Sequence, residues 1–102
     1  MFKHIVMWEL KESAAGKSRI DNAHLIKSAL EKLPILIPQI VIYEIGINIS
    51  ESSVSDDLVL NSSFNSKEDF EIYRDHSEHI KVVELIRELS AKTHVVDFAD
   101  PK

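Results

Sequence analysis

Tyr73, His76 and His79 follow one another at three-residue intervals within Phe70–Leu85, an amphipathic helical stretch. Side chains three apart on a helix lie on neighbouring parts of one face, so these three can converge on one ligand. A phenol can hold a carbonyl oxygen, and an imidazole exchanges a proton near neutral pH. The chemistry this suggests is acid–base. His79 would take a proton from a carbon beside a carbonyl, while Tyr73 hydrogen-bonds the oxygen where enolate charge develops. His4, on the opening apolar segment, would contact the same ligand from a strand beneath, with Trp8 on the same strand face as a wall. The competing reading leaves Tyr73 a core ring with its hydroxyl satisfied at the helix rim.

His76 and His79 also raise a metal site, since histidines three apart on a helix can share an ion. Zinc would want a third protein ligand, for which His4 is the candidate. The alternative is that one histidine caps a helix bend while the other is solvated, and neither a metal nor another cofactor is expected. His24 falls off the apolar stripe of its helix, and His94 has no evident partner.

These residues need a scaffold, and 102 residues suffice for one domain, 1–102. A chain this short has a modest core that oligomerisation would reinforce. A net charge of −5 and the lack of any basic run argue against a grip on nucleic acid. The absence of cysteine excludes disulfides, thiolate catalysis and Cys-based metal sites. Pro34, Pro38, Gln39, Glu44, Gly46 and Asn48 interrupt the longest apolar region, so no membrane span is expected. With no signal-peptide pattern at the start, the expected location is cytoplasmic.

Phe2–Leu10 alternates as a strand: Phe2, His4, Val6, Trp8 and Leu10 share one face, and Lys3, Ile5, Met7 and Glu9 the other. A loop over 11–17 leads to a helix over 18–33, patterned by Ile20, Ala23, Ile26, Ala29, Leu30 and Leu33 and stopped at Leu33-Pro34. A strand over 39–49 would place Val41, Tyr43, Ile45, Ile47 and Ile49 on one face, with Gly46 marking a bulge or a close approach. A third strand runs over about 56–64. Ser66, three residues before Asp69, begins a helix that bends near His76-Ser77 and reaches about Leu89. The last strand covers 92–98, followed by a short tail over 99–102.

The order β-α-β-β-α-β predicts an α+β, ferredoxin-like fold: a four-stranded antiparallel sheet with both helices on one face. Two helices cover only one sheet face, yet both faces of the first two strands carry apolar residues. A second copy of the same sheet, packed about a two-fold axis, is the simplest cover, so a homodimer is expected.

The segment 2–11, with His4 on a short apolar strand, and the segment 64–79, with its Tyr-x-x-His-x-x-His pattern, resemble the stress-responsive α/β-barrel (Dabb) family. The resemblance runs along essentially the whole chain. It implies a dimeric α+β barrel in which two four-stranded sheets join with helices outside. The family includes a plant polyketide cyclase whose catalytic tyrosine and histidine match Tyr73 and His79, and whose strand-one histidine matches His4. A further pocket histidine of that cyclase corresponds to Leu58, which cannot hydrogen-bond. Leu58 is therefore carried as a ligand-binding position, while the substitution argues against the same cyclisation chemistry.

Three functions remain in view. The leading one is a homodimer with a pocket for a carbonyl-bearing, partly apolar small molecule between helices and sheet. An enzyme using His79 as base and Tyr73 as donor claims more of the same site. A structural stress protein without ligand claims less.

Overall fold

The alternating segment at the N-terminus becomes β1 (Phe2–Leu10), an inner strand of the sheet. The computed structural model describes residues 1–100, and the last two residues of the expected tail lie outside the described residues. Four strands pair antiparallel in the order β4-β5-β1-β6, with β4 at Ile40–Ile47, β5 at Leu58–Phe64 and β6 at Ser90–Ala99. The chain order and this sheet order together are the ferredoxin-like α+β arrangement expected from the sequence.

The expected loop after β1 is a tight hairpin, β2 (Ser13–Ala14) against β3 (Lys17–Ser18). Ala15 and Gly16 both take positive φ, 52° and 75°, which is what a two-residue turn needs to match strand twist. Ser18 then caps α1 (Arg19–Glu31), its Oγ accepting the Asp21 amide at 3.3 Å. Pro34 stops α1, as expected, but also starts a short turn of helix, α2 (Leu33–Leu36), because the first turn tolerates a missing N–H.

Ser66 caps α3 (Lys67–Asp75), accepting the Asp69 amide at 3.1 Å. His76 then leaves helical geometry, with φ −66° and ψ 136°, and α4 (Ser77–Leu89) begins anew. The expected bend is thus a full break between two helices.

Cross-strand pairs sort the faces. Phe2–Phe64, Val6–Leu60 and Trp8–Leu58 stack on the helix side. They meet Ile26, Leu30 and Leu33 from α1 and α2, and Tyr73, Val82 and Ile86 from α3 and α4, in one continuous core. Ile26 and Leu30 are fully enclosed, so cutting either to alanine would cost about 2–5 kcal/mol.

One expectation about β4 is corrected. The register shifts between Ile40 and Ile42, so a bulge at Val41 puts Ile40 on the core side with Tyr43, Ile45 and Ile47 and leaves Val41 exposed. Gly46 is no bulge. It pairs with Val59, and a Cβ there would sit 3.2 Å from Val59 Cγ1, so the close neighbour is a side chain.

The opposite sheet face has no helix on it. Met7, Ile42, Val59, Val96 and Phe98 are all at least 36% exposed there. Among the described residues no helix is long and apolar enough to cross a membrane.

Candidate functional site

The helices cover β4, β5 and β1 more fully than β6, and a cavity of about 280 Å³ opens where that cover thins. His4, Val6 and Trp8 of β1, Leu60 of β5, and Thr93 and Val95 of β6 form its floor. Tyr73 of α3 and His79, Val82, Val83, Ile86 and Arg87 of α4 form its roof, with Leu30 and Ser90 at the sides. Of the residues singled out in the sequence, His4, Trp8, Tyr73 and His79 therefore meet around one space.

The Tyr73 and His79 rings lie 4.2 Å apart between centroids, and His4 stands 6.3 Å from Tyr73. The two rings come from different helices, α3 and α4, on either side of the break at His76.

Each imidazole is held by one nitrogen. His79 Nδ1 lies 2.9 Å from the Arg74 carbonyl oxygen, which can only accept, so Nδ1 carries the proton and Nε2 is left as the basic nitrogen. Burial pushes the His79 pKa below its usual 6.5, reinforced by the neighbouring His4 and His76 imidazoles and opposed by the Arg74 carbonyl and Asp75. His79 is thereby kept neutral, the form that accepts a proton. His4 Nδ1 is 2.5 Å from Asp97 Oδ1 on the paired strand β6, so its own Nε2 is likewise unengaged.

The Tyr73 hydroxyl is not a solitary donor. It lies 2.8 Å from the Tyr43 hydroxyl, and the two rings meet edge to face. Burial raises Tyr73 to about 12, offset in part by the bond from Tyr43, while burial and then the Tyr73 neighbour push Tyr43 further up. Both phenols stay neutral. Either hydroxyl can be the donor; where Tyr43 donates to Tyr73, the Tyr73 proton is left for a further acceptor.

Leu58 and His76 are not brought to the cavity. Leu58 is 2% exposed and packed in the core beside Trp8, its neighbour across β1 and β5. His76 instead caps α4, its Nδ1 accepting the Glu78 amide at 3.1 Å. Among the described residues no group of three His, Cys, Asp or Glu side chains could hold a metal ion. His94 does have a partner, contrary to expectation: its Nδ1 lies 2.8 Å from Asp56 Oδ2.

Tyr43, Asp97 and Arg87 were not singled out from sequence. The signal for Asp97 was its place on the alternating last strand, but only the register with β1 shows that it faces His4.

The fold is shared with solved structures from several organisms. A dimeric protein of unknown function with a ferredoxin-like fold from Bacteroides fragilis is 26% identical, covering 97% of this chain and 95% of its own, with a TM-score of 0.85. A dimeric ferredoxin-like protein of unknown function from Thermobifida fusca is 23% identical over 97% of this chain and 90% of its own, at a TM-score of 0.83. The hydroxynitrile lyase of Passiflora edulis is 19% identical over 99% of this chain and 94% of its own, at 0.77. At these last two identities the likeness is one of fold. No curated protein matches the sequence. The model of the stress responsive A/B barrel domain matches residues 2–100, and the chain belongs to that family.

Proposed function

We propose that this protein works as a homodimer that binds a small, partly apolar, carbonyl-bearing molecule in the cavity between helices and sheet. The observation that carries the reading is the convergence of Tyr73, His79 and His4 on one mainly apolar space, each imidazole anchored through Nδ1. Apolar walls with a few fixed polar groups are what small-molecule sites offer. The Tyr73 proton would meet the ligand's oxygen, with Tyr43 donating behind it. Three supports favour the dimer. The sheet face away from the helices is apolar and open, neighbours of the same fold are dimers, and a chain of 102 residues gains most from extra burial. The lack of cysteine suits a reducing compartment such as the cytoplasm.

A stronger reading of the same cavity is supported by the state of His79. A neutral imidazole with an unengaged Nε2 beside a phenol donor can take a proton from a carbon next to a carbonyl, with no cofactor in the step. A hydroxynitrile lyase shares the fold, so this scaffold carries an enzyme in at least one other protein.

The test is a ligand titration with acetophenone, followed by amide chemical shifts of the isotope-labelled protein. Shifts clustered at Tyr73, His79 and Val83, weakened in Tyr73→Phe and His79→Ala, are expected. Shifts scattered over the surface, or unaffected by either substitution, would remove the pocket. Hydrogen–deuterium exchange at the acetophenone methyl, faster with the wild type than with His79→Ala, separates the enzyme from the simple binder.

A further inference from the structure

We infer that the ligand of this cavity carries a carboxylate, received by Arg87 at the cavity mouth, an inference that rests on the small-molecule reading above. Arg87, His79 and Val83 line both the cavity and a second surface groove, and Arg87, being exposed, stands where the cavity lining reaches solvent. Arg87 is exposed and, among the described residues, makes no ion pair. It is the permanently charged side chain of the cavity lining, which contains no aspartate or glutamate.

Of the other charges nearby, Arg74 and Asp97 are paired, and Glu84, one turn before Arg87 on α4, is not in an ion pair among the described residues. Arg74, in the groove, is held by Asp75 at 2.9 Å. Asp97 is engaged by His4. Glu84 borders the groove but does not line the cavity. On a chain of net charge −5, a guanidinium without an ion pair at the edge of an apolar space is a selective feature.

One guanidinium balances one negative charge. Arg87 stands in the last turn of α4, where the outward carbonyls carry partial negative charge. The carbonyls at that end oppose any anion, so the contact rests on the guanidinium alone. A planar carboxylate fits the fork of Arg87. A volume of about 280 Å³ lies at the small end of ligand pockets, which suits a single-ring body. The ligand class is therefore an aryl or short alkyl keto acid, with its carboxylate at Arg87 and its ketone toward Tyr73 and His79.

The experiment compares benzoylformate with acetophenone, two aryl ketones that differ by a carboxylate, by amide-shift titration of wild type and Arg87→Gln. Wild type should bind benzoylformate about tenfold more tightly at low salt, as one partly screened charge-assisted contact would give. Arg87→Gln should bring the two affinities within about threefold while leaving acetophenone where it was. Arg87→Lys should keep part of the preference. Equal binding of both compounds by wild type, or a preference that survives Arg87→Gln, overturns the carboxylate and leaves the pocket standing. Failure of both compounds to shift Tyr73, His79 or Val83 overturns the small-molecule reading and this inference with it.

Discussion

The Tyr43 and Tyr73 hydroxyl oxygens lie 2.8 Å apart between β4 and α3, both rings largely buried. A hydrogen bond of this kind contributes about 1 kcal/mol, and a lost partner leaves a buried hydroxyl unsatisfied. Tyr43→Phe and Tyr73→Phe should each lower the unfolding free energy by about that amount. The double substitution should cost little more than either alone, since both remove one bond. Additive losses in urea denaturation would mean that the hydroxyls act independently.

His79 should give the protein a specific sensitivity to acid. Its folded pKa is held below the usual 6.5, chiefly by burial, so the unfolded chain takes up its proton first as pH falls. The stability this group contributes is complete above about 6.5 and is lost as pH drops toward the folded value. His79→Gln should therefore flatten the fall in stability between about pH 7 and pH 5. Parallel curves for wild type and variant would place the acid sensitivity elsewhere.

Asp97→Ala should release the His4 ring rather than unfold the sheet. Asp97 lies on the exposed strand β6 with its side chain 39% exposed, and a pair with one partner open to solvent contributes about 0–1 kcal/mol. The expected signature is spectroscopic: a slowly exchanging proton on His4 Nδ1 in wild type that disappears in the variant. Affinity for acetophenone should fall in parallel. A His4 proton that persists without Asp97 would show that the ring is held by other contacts.

Val96→Glu should split the proposed dimer. Val96 is 59% exposed on the sheet face that lacks helices, beside Ile5 on β1, so a charge there would be buried unpaired between two sheets. Light scattering should show wild type at twice 11.6 kDa and the variant near 11.6 kDa at micromolar concentration. A wild-type monomer, or a variant that stays dimeric, would move the interface off this face.

The fold was legible because its signals are local. Alternation in Phe2–Leu10, the proline after Leu33 and the Ser66 cap each act within a few residues, and each appears in the structure as expected. The bulge at Val41 was not legible, because the run Ile40–Val41–Ile42 is apolar on both parities and gives no hint of where register slips. The candidate site divided the same way. Tyr73 and His79 announce themselves by spacing on adjoining helices. The partners that orient the groups, Tyr43 for Tyr73 and Asp97 for His4, lie 30 and 93 residues away in the chain, and only strand register or tertiary packing brings them close. His76 misled for a local reason: an imidazole that caps a helix has the same spacing as one that faces a ligand.

The extended residue between α3 and α4 stands where the fulcrum of a lever would be. His79 sits in the first turn beyond it and Arg87 near the far end of α4. At 1.5 Å of rise per residue, a tilt of about 10° about His76 carries the His79 backbone about 0.8 Å and that of Arg87 about 3 Å. A rotation of that size would shift Arg87 by the length of a bond or two and leave the ring pair of Tyr73 and His79 almost in place. On the proposed reading, Arg87 and His79 would stand toward opposite ends of one arm, so a change of residue at Arg87 would be expected to alter what enters with little disturbance to Tyr73 and His79.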